Sequence, residues 1–123
     1  MNPVVSSKVV FCSGIGGAGV SALARLLKLQ GKQVMGSDAG ENMMTADLRN
    51  EGLTVFVPQA AEHIPPECDL FIFSDAVPAD SPERVAAKER NLPSYSYFEA
   101  LGFFFEQYKI RVAISGTHGK TTT

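Results

Sequence analysis

Short apolar runs alternate along this chain with longer amphipathic stretches, and the alternation sets out a row of elements. Lys8 to Ser13 reads KVVFCS and stops at Gly14. An apolar run of that length, without polar alternation, suits a strand buried on both faces of a parallel sheet. From Gly17 to Leu29 the apolar residues Val20, Leu23 and Leu27 fall at helical spacing, with Gly31 placed to end the helix. Gln33 to Gly36 predicts a second strand, closed by Ser37 and Asp38. Thr45 reads as the cap of a helix ending at Asn50, with Gly52 just beyond it, and Thr54 to Val57 as a third strand.

The pattern then repeats. Ala60 to Glu67 is an irregular connection broken by Pro65 and Pro66, and Leu70 to Phe73 is a fourth buried strand. Asp80-Ser81-Pro82-Glu83 starts a helix with a capping oxygen, a proline in the first turn and acids near the positive end, and that helix extends to Asn91. Pro93 to Ser96 is an edge-like strand. Tyr97 to Tyr108 is a last helix, with Leu101, Phe104, Phe105 and Tyr108 on overlapping apolar faces, and its Phe103-Phe104-Phe105 run is read as packing against the core and a neighbouring domain.

Strands separated by helices and short connections predict an α/β fold, a Rossmann-like, doubly wound parallel sheet of about five strands with right-handed crossovers. Lys109 to Ser115, apolar at Val112, Ala113 and Ile114, reads as the first strand of a second domain. Residues 1–107 are therefore expected to form one domain and 108–123 the start of another. Without a sheet of its own, the second-domain strand is expected to be disordered, to add to a sheet edge, or to pair between chains.

Composition removes several alternatives. The 123 residues carry 11 basic and 13 acidic side chains, a balance that leaves no footprint for nucleic acid or a membrane surface. No apolar run approaches the roughly 18 residues of a membrane span, and residues 1–8 lack the charged start and long apolar stretch of a secretory leader, so a cytoplasmic protein is expected. Cys12 and Cys68 have neither metal-ligand nor redox-motif spacing and are expected as reduced thiols. His63 is expected at the surface.

Four features carry chemistry. Gly14-Ile15-Gly16-Gly17-Ala18-Gly19 matches G-x-G-x-x-G between the first strand and the first helix. There Gly14 allows the tight turn, Gly16 lets a phosphate approach the backbone, and Gly19 permits close helix packing, so a diphosphate would rest on backbone N–H groups and the helix dipole. A tight turn without a ligand is the plainer alternative. Asp38 follows the second strand about 20 residues further on, where such folds place an acid on ribose hydroxyls, which disfavours a 2′-phosphate and hence NADP. Ser74 stands at the carboxyl end of the fourth strand, on the rim where ligands bind. These features suit NAD or another diphosphate nucleotide equally, so a non-catalytic nucleotide-sensing module remains an alternative.

The fourth feature is Gly116-Thr117-His118-Gly119-Lys120-Thr121-Thr122-Thr123, a nucleotide-phosphate loop after an apolar run. Its glycines free backbone N–H groups for phosphates, Lys120 reaches the terminal phosphates of ATP, and Thr121 contacts magnesium. Ile114 stands where the common form of the loop has its first glycine.

Taken together, GIGGAGVSALA at Gly14 to Ala24, GSD at Gly36 to Asp38, DSPE at Asp80 to Glu83 and SGTHGKTTT at Ser115 to Thr123 resemble the Mur ligases of peptidoglycan synthesis. The histidine before Gly119 is similar to members that add L-alanine to UDP-N-acetylmuramate and to members that recycle muropeptides, and the GIGGAG form favours the former. The resemblance implies three domains: a Rossmann-like domain for the UDP-sugar, a central ATPase and a closing domain. It further implies that ATP and magnesium activate the lactyl carboxylate of UDP-N-acetylmuramate as an acyl phosphate for attack by the amine of L-alanine. By position, Gly14 to Gly19 would face the UDP diphosphate, Asp38 the uridine portion, and Gly116 to Thr122 the ATP phosphates. The 123 residues alone would bind the sugar nucleotide without turnover. Two positions depart from the family pattern: Asp75 where serine is frequent, and Tyr97 where arginine is frequent.

Overall fold

The apolar runs become β1 (Val9–Ser13), β2 (Gln33–Ser37), β3 (Thr54–Phe56), β4 (Leu70–Phe73) and β5 (Ser94–Ser96). They form one parallel sheet in the order β3-β2-β1-β4-β5, in a computed structural model that describes residues 2–115 and side chains as far as Tyr108. β1 is central, with Val10 opposite Val34 on one side and Leu70 on the other. The chain winds outward through β2 and β3, then crosses β1 to build β4 and β5. A switch in strand order therefore falls between β1 and β4, the place where open α/β sheets hold ligands.

Successive strand residues point to opposite faces. Val10, Cys12, Val34, Leu70 and Ile72 face α1 (Pro3–Ser6), α2 (Ala18–Leu29), α3 (Met43–Asn50) and α5 (Tyr97–Ser115), which contribute Val4, Leu23, Leu27, Leu48, Ala100 and Phe104 to one continuous core. Phe11, Met35 and Phe71 face the other way, toward α4 (Pro82–Glu89) and a short 3-10 turn at Ala61–His63, where Ala87 and Ile64 complete a smaller cluster. Cys12 and Cys68 belong to these two different clusters, and both are free and buried. Burial pushes the Cys12 thiol up to about 12.

Local signals set most element ends. Ser81 caps α4 by accepting the Arg84 N–H, and Pro82 occupies the first turn. Gly31 and Gly52 adopt positive φ just past α2 and α3. α3 starts earlier than expected: Asn42 is the cap, and Thr45 is its partner three residues on in a reciprocal capping box. α1 has the signature of a capping Asn2 followed by Pro3, which the apolar pattern did not bring out. His63 is half-buried rather than on the surface, its ring stacked on Phe56 at 4.3 Å.

The largest departure is at the end of the described chain. Lys109 to Ser115 does not form a strand, disordered or paired, because α5 continues through it to Ser115. Among the described residues this stretch is not part of the five-stranded sheet, and outside a sheet an extended segment leaves its backbone groups unpaired. Extending an existing helix adds one internal hydrogen bond per residue without a new nucleus. The helix thus runs through the boundary expected near residue 107.

Candidate functional site

The glycine turn is built by β1 and β2 together. Ser37 ends β2, and its carbonyl accepts the N–H groups of both Gly14 (2.8 Å) and Ile15 (2.9 Å), drawing the chain off β1. Gly14 takes φ +80°, and a Cβ there would lie 2.8 Å from Cβ of Ser74, so the turn depends on glycine for both its conformation and its contact with the end of β4. Gly17 N–H closes the turn on the Gly14 carbonyl at 3.1 Å. Gly17 is also the cap residue of α2 and offers no side-chain oxygen, so the first-turn amides of Ala18 and Gly19 have no side-chain cap.

Asp38 is turned into this loop. Its Oδ2 accepts the Gly16 N–H at 2.8 Å and its Oδ1 accepts the Ala39 N–H at 2.8 Å. A Cβ on Gly16 would lie 2.6 Å from Oδ2, so the missing side chain at Gly16 admits the aspartate carboxylate. The amide expected to meet a phosphate is thus occupied by an anion from the protein itself.

An open crevice of about 310 Å³ lies between these parts, lined by Gly14, Gly16, Gly17, Asp38 and Ser74 together with Ala39, Asn42, Gln59, Ala76 and Val77. Among the described residues, no lysine or arginine lines it. Attraction for an anion here has to come from backbone N–H groups and the start of α2. Just before α3, Glu41 is bound at 2.6 Å by Arg49 from the last turn of that helix, which holds the Glu41 carboxyl below the ordinary carboxylate range. A larger groove of about 700 Å³ lies between α4 and the β4–β5 edge, with Arg84 stacked on Phe73 at 3.7 Å and Lys88 nearby, but none of the glycine-turn residues lines it. Among the described residues no cluster of His, Cys, Asp and Glu is arranged to hold a metal.

The sequence-derived residues divide into three groups. Gly14, Gly16, Gly17, Asp38 and Ser74 share the crevice, Ser74 spending its hydroxyl oxygen on the Ala76 N–H at 3.2 Å. Ile15 is fully buried, in the core cluster on the α2 side of the sheet. Ala18 is exposed at the start of α2, outside the crevice lining. At Gly19 a Cβ would lie 2.6 Å from Cζ of Tyr97, so the glycine admits the ring that opens α5. Gly116, Thr117, His118, Gly119, Lys120, Thr121 and Thr122 lie outside the described residues.

Five crevice residues escaped the sequence pattern: Ala39, Asn42, Gln59, Ala76 and Val77. Asn42 carried a usable signal, since an Asn three residues before Thr45 announces a capping box. Gln59 had none.

A parallel 3-2-1-4-5 sheet with a glycine turn and an acid at the switch point defines a Rossmann-like α/β domain. Residues 10–109 match the family described as Mur ligase family, catalytic domain, and the chain belongs to the Mur ligase family. It is 44% identical over 113 residues to a UDP-N-acetylmuramate--L-alanine ligase of Caldicellulosiruptor saccharolyticus, covering 92% of this chain and 25% of that protein. A crystal structure of a UDP-N-acetylmuramate-alanine ligase from Thermotoga maritima superposes with a TM-score of 0.73 at 37% identity, covering 84% of this chain and 23% of that one. A murein peptide ligase from Psychrobacter arcticus superposes with a TM-score of 0.71 at 26% identity, over 81% of this chain and 20% of that one. The chain spans about a quarter of the length of the curated relatives it matches.

Proposed function

We propose that residues 1–107 are the UDP-N-acetylmuramate-binding domain, and residues 108–123 the start of the ATPase domain, of a ligase that joins L-alanine to UDP-N-acetylmuramate in peptidoglycan synthesis. The observation that carries this is the crevice at the β1–β4 switch point, where the glycine turn, Asp38 and Ser74 converge in a chain 44% identical to a ligase named for that substrate. The diphosphate of the sugar nucleotide would approach the turn from Gly14 to Gly17 and the uncapped start of α2, and Asp38 would meet hydroxyls of the uridine ribose. Ser74 would give or take one hydrogen bond at the opposite wall. With its phosphate loop outside the described residues, ATP is assigned to Gly116 to Thr122 and magnesium to Thr121 by position alone. Bound there, ATP with magnesium would supply activation of the sugar's carboxylate.

The 123 residues by themselves are expected to bind the sugar nucleotide and not to release ADP when given UDP-N-acetylmuramate, L-alanine and ATP. The test is an NMR titration of isotope-labelled chain with UDP-N-acetylmuramate, UDP and NADH in parallel. Saturable shifts at the amides of Gly14 to Gly19 and Asp38 with the UDP compounds alone are the expected result. Shifts with NADH alone would replace this assignment with a dinucleotide module.

A further inference from the structure

Beneath the crevice lies a carboxyl group that neither the motif nor the proposed chemistry uses. Glu83, in the first turn of α4, is fully buried. Its Oε1 accepts the hydroxyls of Ser13 at 2.5 Å and Ser37 at 2.6 Å, and its Oε2 accepts the Ala60 N–H at 3.1 Å. Ser13 ends β1 and Ser37 ends β2, so one side chain ties together the ends of the two strands from which the glycine turn and Asp38 emerge. The tie extends into the crevice on two sides. The Ser37 carbonyl holds Gly14 and Ile15, and Ser13 Oγ accepts Nε2 of the crevice residue Gln59 at 3.3 Å.

We propose that Glu83 is a positioning residue for the nucleotide site, fixing the glycine turn, Asp38 and the Gln59 loop in one arrangement before a ligand arrives. This rests on the sugar-nucleotide assignment above. Stability alone does not explain a carboxyl group at this place, because burying one is costly and an apolar side chain would fill the volume more cheaply. All three of its neighbours donate. A glutamine of the same shape would turn an NH₂ toward one of these donors and leave the cluster partly unsatisfied. Glu83 is not among the crevice-lining residues and acts through its hydrogen bonds to Ser13, Ser37 and Ala60.

The test compares Glu83→Gln with Val4→Ala in the 123-residue chain. Val4 is fully buried in α1, which precedes β1 and so lies toward the opposite end of the strands. Calorimetric titration with UDP-N-acetylmuramate is paired with hydrogen exchange at Gly14 and Ile15, under denaturant conditions giving both variants the same stability. The expected result for Glu83→Gln is binding weakened about tenfold or more, with faster exchange at both amides than in Val4→Ala. Binding within about twofold of the unsubstituted chain, or equal losses in both variants, would overturn the proposal. Should Glu83→Gln fail to fold, Ser37→Ala removes one arm of the cluster while keeping the Ser37 carbonyl, and the same two readouts decide. If the unsubstituted chain gives no saturable response to any UDP compound, the sugar-nucleotide assignment fails, while exchange at Gly14 and Ile15 still decides whether Glu83 sets the turn.

Discussion

The two faces of the sheet are built by different means. The face under α1, α2, α3 and α5 is a continuous apolar layer in which Val10, Leu23, Leu27, Leu70 and Ile72 are almost wholly removed from water. The face under α4 has a smaller apolar cluster around Phe11 and Phe71 and, at the rim end, the hydrogen-bonded group of Ser13, Ser37 and Glu83. Burial on the first face is non-directional and sets how much stability the domain has. Directional bonds on the second set where the strand ends point, which is what a ligand site needs. Stability and geometry are thus separable in this molecule, and substitutions on the two faces should fail in different ways.

The largest stability effect is expected from Leu27→Ala, which opens a cavity in the first face. It should cost about 2–5 kcal/mol in urea denaturation, while the protein that remains folded keeps its response to UDP-N-acetylmuramate. A lost response at full folding would break the separation. Gly14→Ala should follow, at about 1–2 kcal/mol for the left-handed backbone conformation with more from the contact at Ser74, and here ligand response should fall alongside stability. Asp38→Ala should sharpen the contrast, leaving the denaturation midpoint almost unchanged and altering the response of Gly16.

A separate effect concerns pH. The Cys12 thiol is raised by burial from 9.0 to about 12 in the folded chain. A raised folded value contributes stability that is fully present below the unfolded value and is lost as pH rises from there through the folded one. Denaturation midpoints should therefore decline between pH 9.0 and about 12, and Cys12→Ala should flatten that decline. The smallest effect is expected at the exposed Arg25–Glu51 pair, 2.7 Å apart, where Arg25→Ala should leave the midpoint unchanged within error.

Much of this was legible along the chain because the signals are local. Val9 to Ser13 and Leu70 to Phe73 are too uniformly apolar to be anything but buried elements, and Ser81-Pro82 announces the start of α4 by cap chemistry alone. Of the crevice, the glycine turn, Asp38 and Ser74 could be placed on one rim because each follows the carboxyl end of a predicted parallel strand. Glu83 could not be read correctly, since an acid in the first turn of a helix is ordinarily a solvated partner of the helix dipole, and only the tertiary approach of Ser13 and Ser37 makes it a buried acceptor. Lys109 to Ser115 misled for a related reason: β-branched residues favour a strand only where a sheet is present to receive them.

Because Asp38 already sits on the Gly16 amide, the glycine turn is never without a negative partner. On the proposed assignment, ligand capture there would exchange one anion for another, and the affinity would be the difference between the two. Inorganic pyrophosphate, which has nothing to offer a displaced carboxylate, should therefore bind poorly. A nucleotide can give the carboxylate a new set of donors in its ribose hydroxyls as it leaves the amide. On this view selectivity for a nucleotide over free diphosphate belongs to the resting state of the loop, and Asp38→Ala should narrow it by admitting both.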